Sequence, residues 1–264
     1  MASEVRQPVD HGSDYPLVRL TGVLDAATAR TVRSALLSVL AEQPEALLVD
    51  VSEVTTPAPE AAAMLRELRR DTADWPAAHL ALCDPRGATA WPGTGWPVWP
   101  DTGAATAELG RPDPDRRHSL ALDPVVGAAR RSRELITEVC GRWDRHDLAG
   151  PACIVVTELV NNVVVHARTA MNVLVATHGS GISVAVRDHS THTPTYTGAP
   201  VPSTAYGGRG MLLIDSVSER WGNLPLDDGK VVWALLLADD AEAGLDRPGE
   251  QTGAAAGMTD PAHG

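Results

Sequence analysis

The sequence predicts two α/β domains joined by an irregular segment, and three observations support this. Strand-like and helix-like patterns alternate through the first half, which is typical of a small sheet with parallel pairing. The second half has two helix-like segments followed by an alternating hairpin around the turn Gly179-Ser180-Gly181. Between the halves the regular patterns stop. The predicted division is residues 1–14 as a disordered tail, 15–85 as the first domain, 86–117 as a linker, 118–238 as the second domain and 239–264 as a second disordered tail.

The first domain is predicted from three apolar strands and two helical patterns. The strands are expected at residues 17–20, 47–51 and 79–83. Asp25 stands where a helix N-cap is expected, because its carboxylate can accept hydrogen bonds from the free N–H groups of a first turn. Apolar residues then recur at helical spacing up to Leu40 and again around Met64.

The second domain is predicted from three helices and three strands. The helices are expected at residues 125–142, 148–168 and 211–217, and the strands at 171–177, 182–188 and 231–237. The linker carries three Trp-Pro pairs, which begin at Trp91, Trp96 and Trp99. One interpretation is a peptide-recognition element. The alternative, which we favour, is an extended connection whose tryptophans pack against one domain.

Composition restricts the classes of function. The chain carries 22 Lys and Arg against 34 Asp and Glu, a formal net charge of −12, and direct nucleic-acid binding requires a positive surface instead. No apolar run approaches the roughly 18 residues of a membrane span, and there is no secretory signal, so we expect a cytoplasmic protein with no membrane contact. Cys83, Cys140 and Cys153 lack metal-ligand spacing and are expected to be reduced thiols.

The segment from Glu158 to His166 carries the most informative pattern of the chain. Glu158 and Asn162 are four residues apart on an apolar, helix-periodic background, so they share one helical face, and His166 extends the same stripe. A carboxylate above an amide oxygen can hold a hydrated Mg²⁺ and orient a hydroxyl or a water. The alternative is a helix whose polar seam faces solvent.

Two further pieces follow in the chain. Asp188 ends an apolar strand, where a carboxylate can accept a hydrogen bond from an exocyclic amine such as that of adenine, although a lone Asp there is more often a turn residue. The segment Gly207-Gly208-Arg209-Gly210 opens a helix. Glycines let a backbone approach a phosphate, and a helix N-terminus supplies N–H donors, although a plain flexible loop is the commoner explanation of such a cluster.

Taken together and in order, these pieces make residues 118–238 resemble the histidine-kinase-like ATPase superfamily, within it the anti-sigma-factor serine/threonine kinase branch. The motifs are Glu158-Leu-Val-x-Asn162-x-x-x-His166-Ala, Val186-Arg-Asp188-His-Ser190, Gly207-Gly-Arg-Gly-Met211 and Gly229-Lys-Val-Val-Trp233. The resemblance implies an α/β sandwich of helices on a mixed sheet, with ATP held between helices and a mobile lid. A histidine-kinase role is disfavoured, because no long heptad-bearing helix precedes the domain.

The resemblance also implies a role for each matching residue. Glu158 would be the general base that activates a substrate serine, Asn162 would coordinate Mg²⁺, and Asp188 would recognise the adenine amine. The cofactor-binding glycine segment would wrap the triphosphate and offset its charge. Its members are Gly207, Gly208, Arg209 and Gly210.

The sequence departs from the family pattern in four places. His189-Ser190 replaces a glycine-rich continuation, so the adenine pocket is expected to differ in shape. Val231 replaces a frequent Thr and removes a hydroxyl that could assist adenine binding, Val165 replaces a frequent Arg, and Asn161 a common Thr. Because the base and the metal ligand remain, nucleotide binding is expected more firmly than kinase turnover.

Residues 15–85 resemble a STAS domain, the fold of anti-sigma-factor antagonists. The resemblance rests on Val18-Arg-Leu-Thr-Gly22-Val-Leu-Asp25 and Leu47-Leu-Val-Asp50-Val-Ser. Such antagonists carry a phosphorylatable serine at the start of the second helix, where this chain has Pro59, which has no hydroxyl. Thr55 and Thr56 are the nearest alternative acceptors. Because proline stands at the acceptor position, we expect this half of the chain to be non-phosphorylatable.

Together the two resemblances imply an ATP- and Mg²⁺-binding regulator of the anti-sigma-factor type. Its partners would be a sigma factor or an anti-sigma-factor antagonist, and its STAS-like half would contact the ATPase half as an internal regulator, since a tethered domain has a high effective concentration. Dimerisation is implied by family resemblance only. Three functions stay open: a serine/threonine kinase, a non-catalytic nucleotide-dependent switch that binds a partner, and an interaction module with a vestigial pocket.

Overall fold

The structure is a computed structural model that describes residues 9–10, 14–55, 59–73, 75, 79–191 and 209–238. Nearly all of the two predicted tails lies outside these residues. The described part forms two sheets with helices. The mixed α/β class predicted from the sequence is confirmed.

The first sheet has five strands in the order β1-β2-β3-β4-β5. Strands β2 to β5 pair in parallel, as the alternation of strands and helices predicts, and β1 is antiparallel to β2. The elements of this half are β1 (Val9–Asp10), β2 (Leu17–Gly22), α1 (Ala26–Leu40), β3 (Leu47–Val54), α2 (Pro59–Asp71), β4 (Leu80–Cys83), β5 (Val98–Trp99) and α3 (Thr102–Leu109).

The start of α1 is fixed by its predicted cap. The Asp25 carboxylate accepts hydrogen bonds from the backbone N–H groups of Ala27 and Thr28, at 3.0 and 3.1 Å. The Thr28 hydroxyl oxygen in turn accepts a hydrogen bond from the backbone N–H of Asp25, which completes a capping box. The prediction from Asp25 is confirmed.

Residues 86–109, most of the segment predicted as a linker, belong instead to the first domain, whereas Arg117 is already the first residue of a strand in the second sheet. They supply β5, which pairs with β4, and α3, which packs beside β3 and β4. The tryptophans hold this segment in place: Trp91 is buried and Trp96 donates its indole N–H to the carbonyl of Leu65. The packing of these tryptophans against one domain is therefore confirmed, whereas the extended connection is wrong, because the segment supplies a strand and a helix of that domain. The segment was missed because its short elements are interrupted by prolines and glycines.

The second sheet has five strands in the order β6-β7-β8-β10-β9. Every described pair in it is antiparallel, whereas the resemblance implied a mixed sheet. Two of these pairs, β7–β8 and β9–β10, are tight hairpins, which require antiparallel strands. Its elements are β6 (Arg117–Leu122), α4 (Ala128–Arg142), α5 (His146–Asn162), β7 (Met171–His178), β8 (Gly181–Asp188), α6 (Arg209–Val217), β9 (Arg220–Leu226) and β10 (Gly229–Leu236).

The two faces of the second sheet serve different cores. One face packs against α4, α5 and α6 through alternate residues such as Val184, Val186 and Val232. The other face joins the core of the first domain through Val231, Trp233 and their neighbours. The two halves therefore share one hydrophobic cluster, and the intramolecular contact predicted from the sequence is present in the structure.

Specific contacts reinforce this shared cluster. The rings of Trp75 and Trp233 meet edge to face, with centroids 5.7 Å apart and planes at 84°. The Ser34 hydroxyl on α1 donates to Asp227 in the β9–β10 turn at 2.6 Å. Because the first domain covers the sheet face opposite α5, it leaves the face of α5 that carries Glu158 uncovered by this contact.

Within the described residues, the helix His146–Ala167 is the single segment long and apolar enough to cross a bilayer. Packing accounts for part of its apolar surface, because Val155, Val156 and Leu159 are buried between the sheet and the other helices. Ile154 and Val165 are exposed. Length and composition alone are weak evidence for a membrane span.

Candidate nucleotide site

Glu158 and Asn162 lie one turn apart on the same face of α5. Both side chains are partly exposed, while Leu159 and Val160 beside them are buried in the core. This division follows from the amphipathic sequence of the helix, whose apolar stripe faces the sheet. The placement expected for the carboxylate and amide pair is the one observed.

The helix carrying this pair changes geometry immediately after Asn162. Residues Val163–Ala167 form a π-helical turn, and the chain then leaves the helix at Arg168, whose φ is 56°. His166, predicted to extend the polar stripe, lies within this wider turn and is exposed. The helix predicted to reach residue 168 therefore ends six residues earlier, at Asn162. Such π turns are rare and occur often at functional sites.

Helix α6 begins directly against the carboxylate of Glu158. A Cβ atom added at Gly210 would lie 2.5 Å from Glu158 Oε2, closer than real Cβ atoms approach. The next residue, Met211, places its sulfur 4.0 Å from the Asn162 amide nitrogen. Glycine at position 210 therefore lets the first turn of α6 pack over both polar residues of α5. Glu158 has no hydrogen-bond or ion-pair partner among the described residues.

Asp188 ends β8 and is buried, with 2 % of its surface exposed. Its Oδ1 accepts two hydrogen bonds, from the backbone N–H of Ser190 at 2.7 Å and from Lys230 Nζ at 3.0 Å. Lys230 faces Asp188 across the β8–β10 ladder and also donates to the Ser190 carbonyl at 3.2 Å. The residue predicted to recognise adenine thus already forms a buried ion pair.

Lys230 is a residue that the sequence reasoning missed as part of the site. It is the only lysine in the chain and directly follows a tight turn. That a chain with one lysine places it here could have indicated a specific role. The partner could not be foreseen, because the pairing depends on the register between β8 and β10.

Strand alternation places Asp188 and Lys230 on the α5 side of the sheet. Val184 and Val186 of β8 pack toward the helices, so Asp188, two residues further, points the same way. Lys230 shares this side with Val232 for the same reason. The fold therefore brings Glu158, Asn162, Gly210 and Asp188 to one side of the sheet.

The same alternation corrects the expectation about Val231. Its side chain is fully buried in the cluster shared with the first domain, on the face away from α5. A threonine hydroxyl at this position would lie on the sheet face opposite the one that holds Asp188. Among the other departures, the backbone N–H of His189 is bonded to the Thr169 hydroxyl at 3.1 Å.

The donor set fits a hydrated Mg²⁺ held jointly with phosphates. No group of three or more His, Cys, Asp or Glu that could cage a metal occurs in the described part of the chain. Mg²⁺ commonly keeps several waters and uses one or two protein oxygens together with substrate phosphates. Because the amide nitrogen of Asn162 points at Met211, its oxygen is the atom left to serve as such a ligand.

Most of the predicted glycine segment lies outside the described residues. Gly207 and Gly208 lie outside the described residues, and so does the side chain of Arg209. The backbone of Arg209 opens α6, two residues before the predicted start at Met211. The predicted roles of these three residues in binding phosphates stay predictions.

The region of the predicted phosphoacceptor is partly described. Pro59 is the first residue of α2, a position where proline is favoured because its missing N–H would be unpaired anyway. Thr55 is exposed, and its backbone N–H is bonded to the carbonyl of Gly22 at 2.8 Å. Thr56 lies outside the described residues.

A buried network beside this region was not foreseen. Asp84, fully buried after β4, accepts hydrogen bonds from the Arg86 guanidinium and from the Trp91 indole at 2.6 Å. Arg86 also donates to the carbonyls of Val51 and Val54 at the end of β3. Burial raises the pKa of Asp84, but the hydrogen bonds from Arg86 and Trp91 outweigh it, and the pKa lies below its usual value.

Comparison with known protein families supports the STAS resemblance of the N-terminal half of the chain. Residues 9–75 match the family model described as "Mlab, STAS domain". A STAS domain is therefore present at the N-terminus, as the sequence predicted. No curated protein matched the chain in a sequence comparison.

Two solved structures resemble parts of the chain. The crystal structure of the RsbU and RsbW domains of Rv1364c from Mycobacterium tuberculosis has 16% identity and a TM-score of 0.36, covering 48% of this chain and 33% of that one. An anti-sigma factor antagonist from Mycobacterium paratuberculosis has 21% identity and a TM-score of 0.35, covering 40% of this chain and 96% of that one. This chain thus spans a third of the first structure's chain. TM-scores below 0.5 carry no functional conclusion.

Proposed function

We propose that this protein is an ATP- and Mg²⁺-binding regulator of the anti-sigma-factor type, with its STAS domain as an internal regulator. The observation that carries the proposal is the packing of Gly210, at the start of α6, over the carboxylate of Glu158. This packing sets a general-base candidate, a Mg²⁺ ligand candidate at Asn162 and a helix N-terminus beside one another. Phosphoryl transfer depends mainly on such positioning and on electrostatic stabilisation.

Each residue would have a distinct part in this function. Asn162 would hold Mg²⁺ through its amide oxygen, and bound Mg²⁺ would neutralise charge on the phosphates. Glu158 would accept the proton of a protein serine hydroxyl. Asp188 would orient the base. The first turn of α6 would present free N–H groups to phosphate.

The proposed partners are a sigma factor or an anti-sigma-factor antagonist. The STAS domain of this chain is not the proposed substrate, because Pro59 stands at the acceptor position. It covers the sheet face opposite Glu158, so it would regulate by bracing the strands. Arg187, the neighbour of Asp188, lies with Nη1 3.9 Å from Glu42 of the first domain and Nη2 3.2 Å from Asp228. Movement of the first domain would therefore reach the strand that holds Asp188.

A second candidate function is a non-catalytic nucleotide-dependent switch that sequesters its partner. The ion pair between Asp188 and Lys230 favours it, because adenine would have to share or replace an acceptor that a lysine already occupies. A protein in which this rearrangement is slow would bind nucleotide and change shape without rapid turnover.

Mg-ATP binding and phosphotransfer, measured on the full chain, separate the candidates. The phosphotransfer assay uses labelled ATP and STAS-domain proteins that carry a serine at the start of the second helix. A kinase predicts that Glu158→Ala keeps ATP binding but loses transfer, while Asp188→Ala loses binding. A switch predicts binding without transfer in the wild type. The exposed Glu134 of α4 offers the control Glu134→Ala, which should change neither quantity. Absence of nucleotide binding by the wild type would exclude both candidates.

A further inference from the structure

A cavity of about 300 Å³ lies between the two domains, away from the candidate nucleotide site. Its first wall is the loop after α1, with Gln43, Pro44 and Glu45, together with His79 before β4. Its second wall comes from the second sheet. Among the residues of that wall are Arg116, Arg117, Thr177 and Ser183. Ligand pockets in proteins begin at roughly this size.

Three side chains of the cavity bury polar atoms that have no partner. Both Nε2 and Oε1 of Gln43, Oγ of Ser183 and Nε of Arg117 make no hydrogen bond in the described structure. Gln43 and Ser183 are each only 2 % exposed. Native proteins rarely leave buried polar atoms unpaired, because each such atom has lost its water without compensation. All three residues line the same cavity, so a rotation of each side chain would offer these groups to a hydrogen-bonding occupant.

The charges around the cavity specify the kind of occupant. Arg117 is half-buried, and burial lowers the pKa of its guanidinium, opposed by the carboxylate of Glu42. Arg116 lies beside it and donates to the Thr177 hydroxyl at 3.0 Å. The carboxylate in the lining is that of Glu45, which accepts the backbone N–H of Asp113 at 3.0 Å. Within the lining, two arginines face one carboxylate that is already engaged, and Glu42, which acts on Arg117 from outside the lining, is shared with Arg187. This balance favours an anion.

We propose that this cavity binds a small organic anion, a carboxylate or a phosphate ester with a second hydrogen-bonding group. The anionic group would be met by Arg117, whose planar guanidinium suits oxyanions. The Gln43 amide would pair with an adjacent donor and acceptor on the ligand, and the Ser183 hydroxyl would complete the set. Because the walls come from both domains, the bound anion holds the STAS domain against the sheet.

This inference is independent of the proposed nucleotide site. Arg117 and Ser183 lie on the sheet face that meets the first domain, whereas Asp188 lies on the face toward α5. An ATP titration therefore reports on one site and an anion titration on the other. If one titration shows no binding, the result of the other can still be interpreted.

The test is calorimetric and thermal titration of the full chain with three probes. Succinamate and glutaramate supply a carboxylate with an amide, glycerol 3-phosphate supplies a phosphate ester with hydroxyls, and NaCl at equal ionic strength is the blank. We expect saturable one-to-one binding in one arm, weakened about tenfold by Arg117→Met. Arg131→Met, on the exposed face of α4, removes the same charge elsewhere and should bind like the wild type.

Ser183→Ala is a second variant, needed in case Arg117→Met does not fold. It removes one hydroxyl with little change of volume. It should keep the circular dichroism of the wild type and weaken binding severalfold. The proposal is overturned if no probe binds saturably at millimolar concentration beyond the salt blank. It is equally overturned if a probe binds but Arg117→Met and Ser183→Ala bind it as well as the wild type does.

Discussion

Lys230 Nζ donates to Asp188 Oδ1 at 3.0 Å across paired strands, and both side chains are more than nine-tenths buried. Removing one partner of a buried ion pair leaves the other charge without compensation, whereas removing both charges is often tolerated. The pair thus links stability of the second sheet to the residue proposed to recognise adenine.

The first prediction concerns this pair. Lys230→Met should lower the free energy of unfolding by about 3 kcal/mol, because Asp188 is left buried and charged. The double variant Asp188→Asn/Lys230→Met should recover most of that loss. Urea denaturation measures both. Arg130→Met, which breaks an exposed pair with Glu134, serves as the control and should have little effect. Equal losses in the single and double variants would contradict the pairing.

The second prediction compares two helical glycines. Gly210→Ala should destabilise the protein by about 1 kcal/mol or less, because the new methyl group displaces the flexible end of the Glu158 side chain. Gly150→Ala, within α5, should instead stabilise it by about 0.5–1 kcal/mol, since nothing lies within 4 Å of the added Cβ and alanine favours the helix. Denaturation curves for both give the signs. A shared sign would show that α6 does not pack on Glu158.

The third prediction tests the contact between the domains. A double-mutant cycle with Trp75→Ala and Trp233→Ala should give a coupling energy of about 0.5–1.5 kcal/mol, because the rings meet edge to face. Trp143, on the other side of the sheet, provides the matched cycle. Trp75→Ala and Trp143→Ala should be additive. Additivity of the first pair would argue against the shared core.

The fourth prediction is a pH dependence that originates at Asp84. Its folded-state pKa lies below the usual value, so the stability it contributes is present at neutral pH and is lost as the pH falls below about 4 toward the folded pKa. Asp84→Asn should cost about 2 kcal/mol at pH 7 and should flatten the decline at acid pH. Urea denaturation at pH 7 and pH 3.5 measures this. A decline as steep in Asp84→Asn as in the wild type would assign it to other groups.

The sequence predicted elements whose signal is local. Asp25 caps α1 as expected, and the hairpin around Gly179 appears where alternation placed it, with each strand one residue longer at the turn. Strand β9 was missed because Gly222 and Pro225 interrupt its pattern. Both fit once the sheet is known: β9 is an edge strand, where proline is tolerated, and Gly222 makes room for the Trp233 ring.

The candidate site also has one part that could be predicted from the sequence and one part that could not. The spacing of Glu158 and Asn162 on one helix could be derived from the sequence, because a helix fixes it. The engagement of Asp188 by Lys230 and the burial of Val231 toward the first domain depend on strand register and on the packing of two domains. Neither the contact nor the burial is indicated by neighbouring residues in the sequence, so both could be recognised only from the fold.

The most direct test of the nucleotide site is the Mg²⁺ dependence of ATP binding by the full chain. Calorimetric titrations with and without Mg²⁺ are compared for the wild type, Asn162→Ala and the adjacent, exposed control Asn161→Ala. We predict that Mg²⁺ tightens ATP binding to the wild type and to Asn161→Ala, and that Asn162→Ala loses this tightening. Failure of the wild type to bind ATP under either condition would contradict the account.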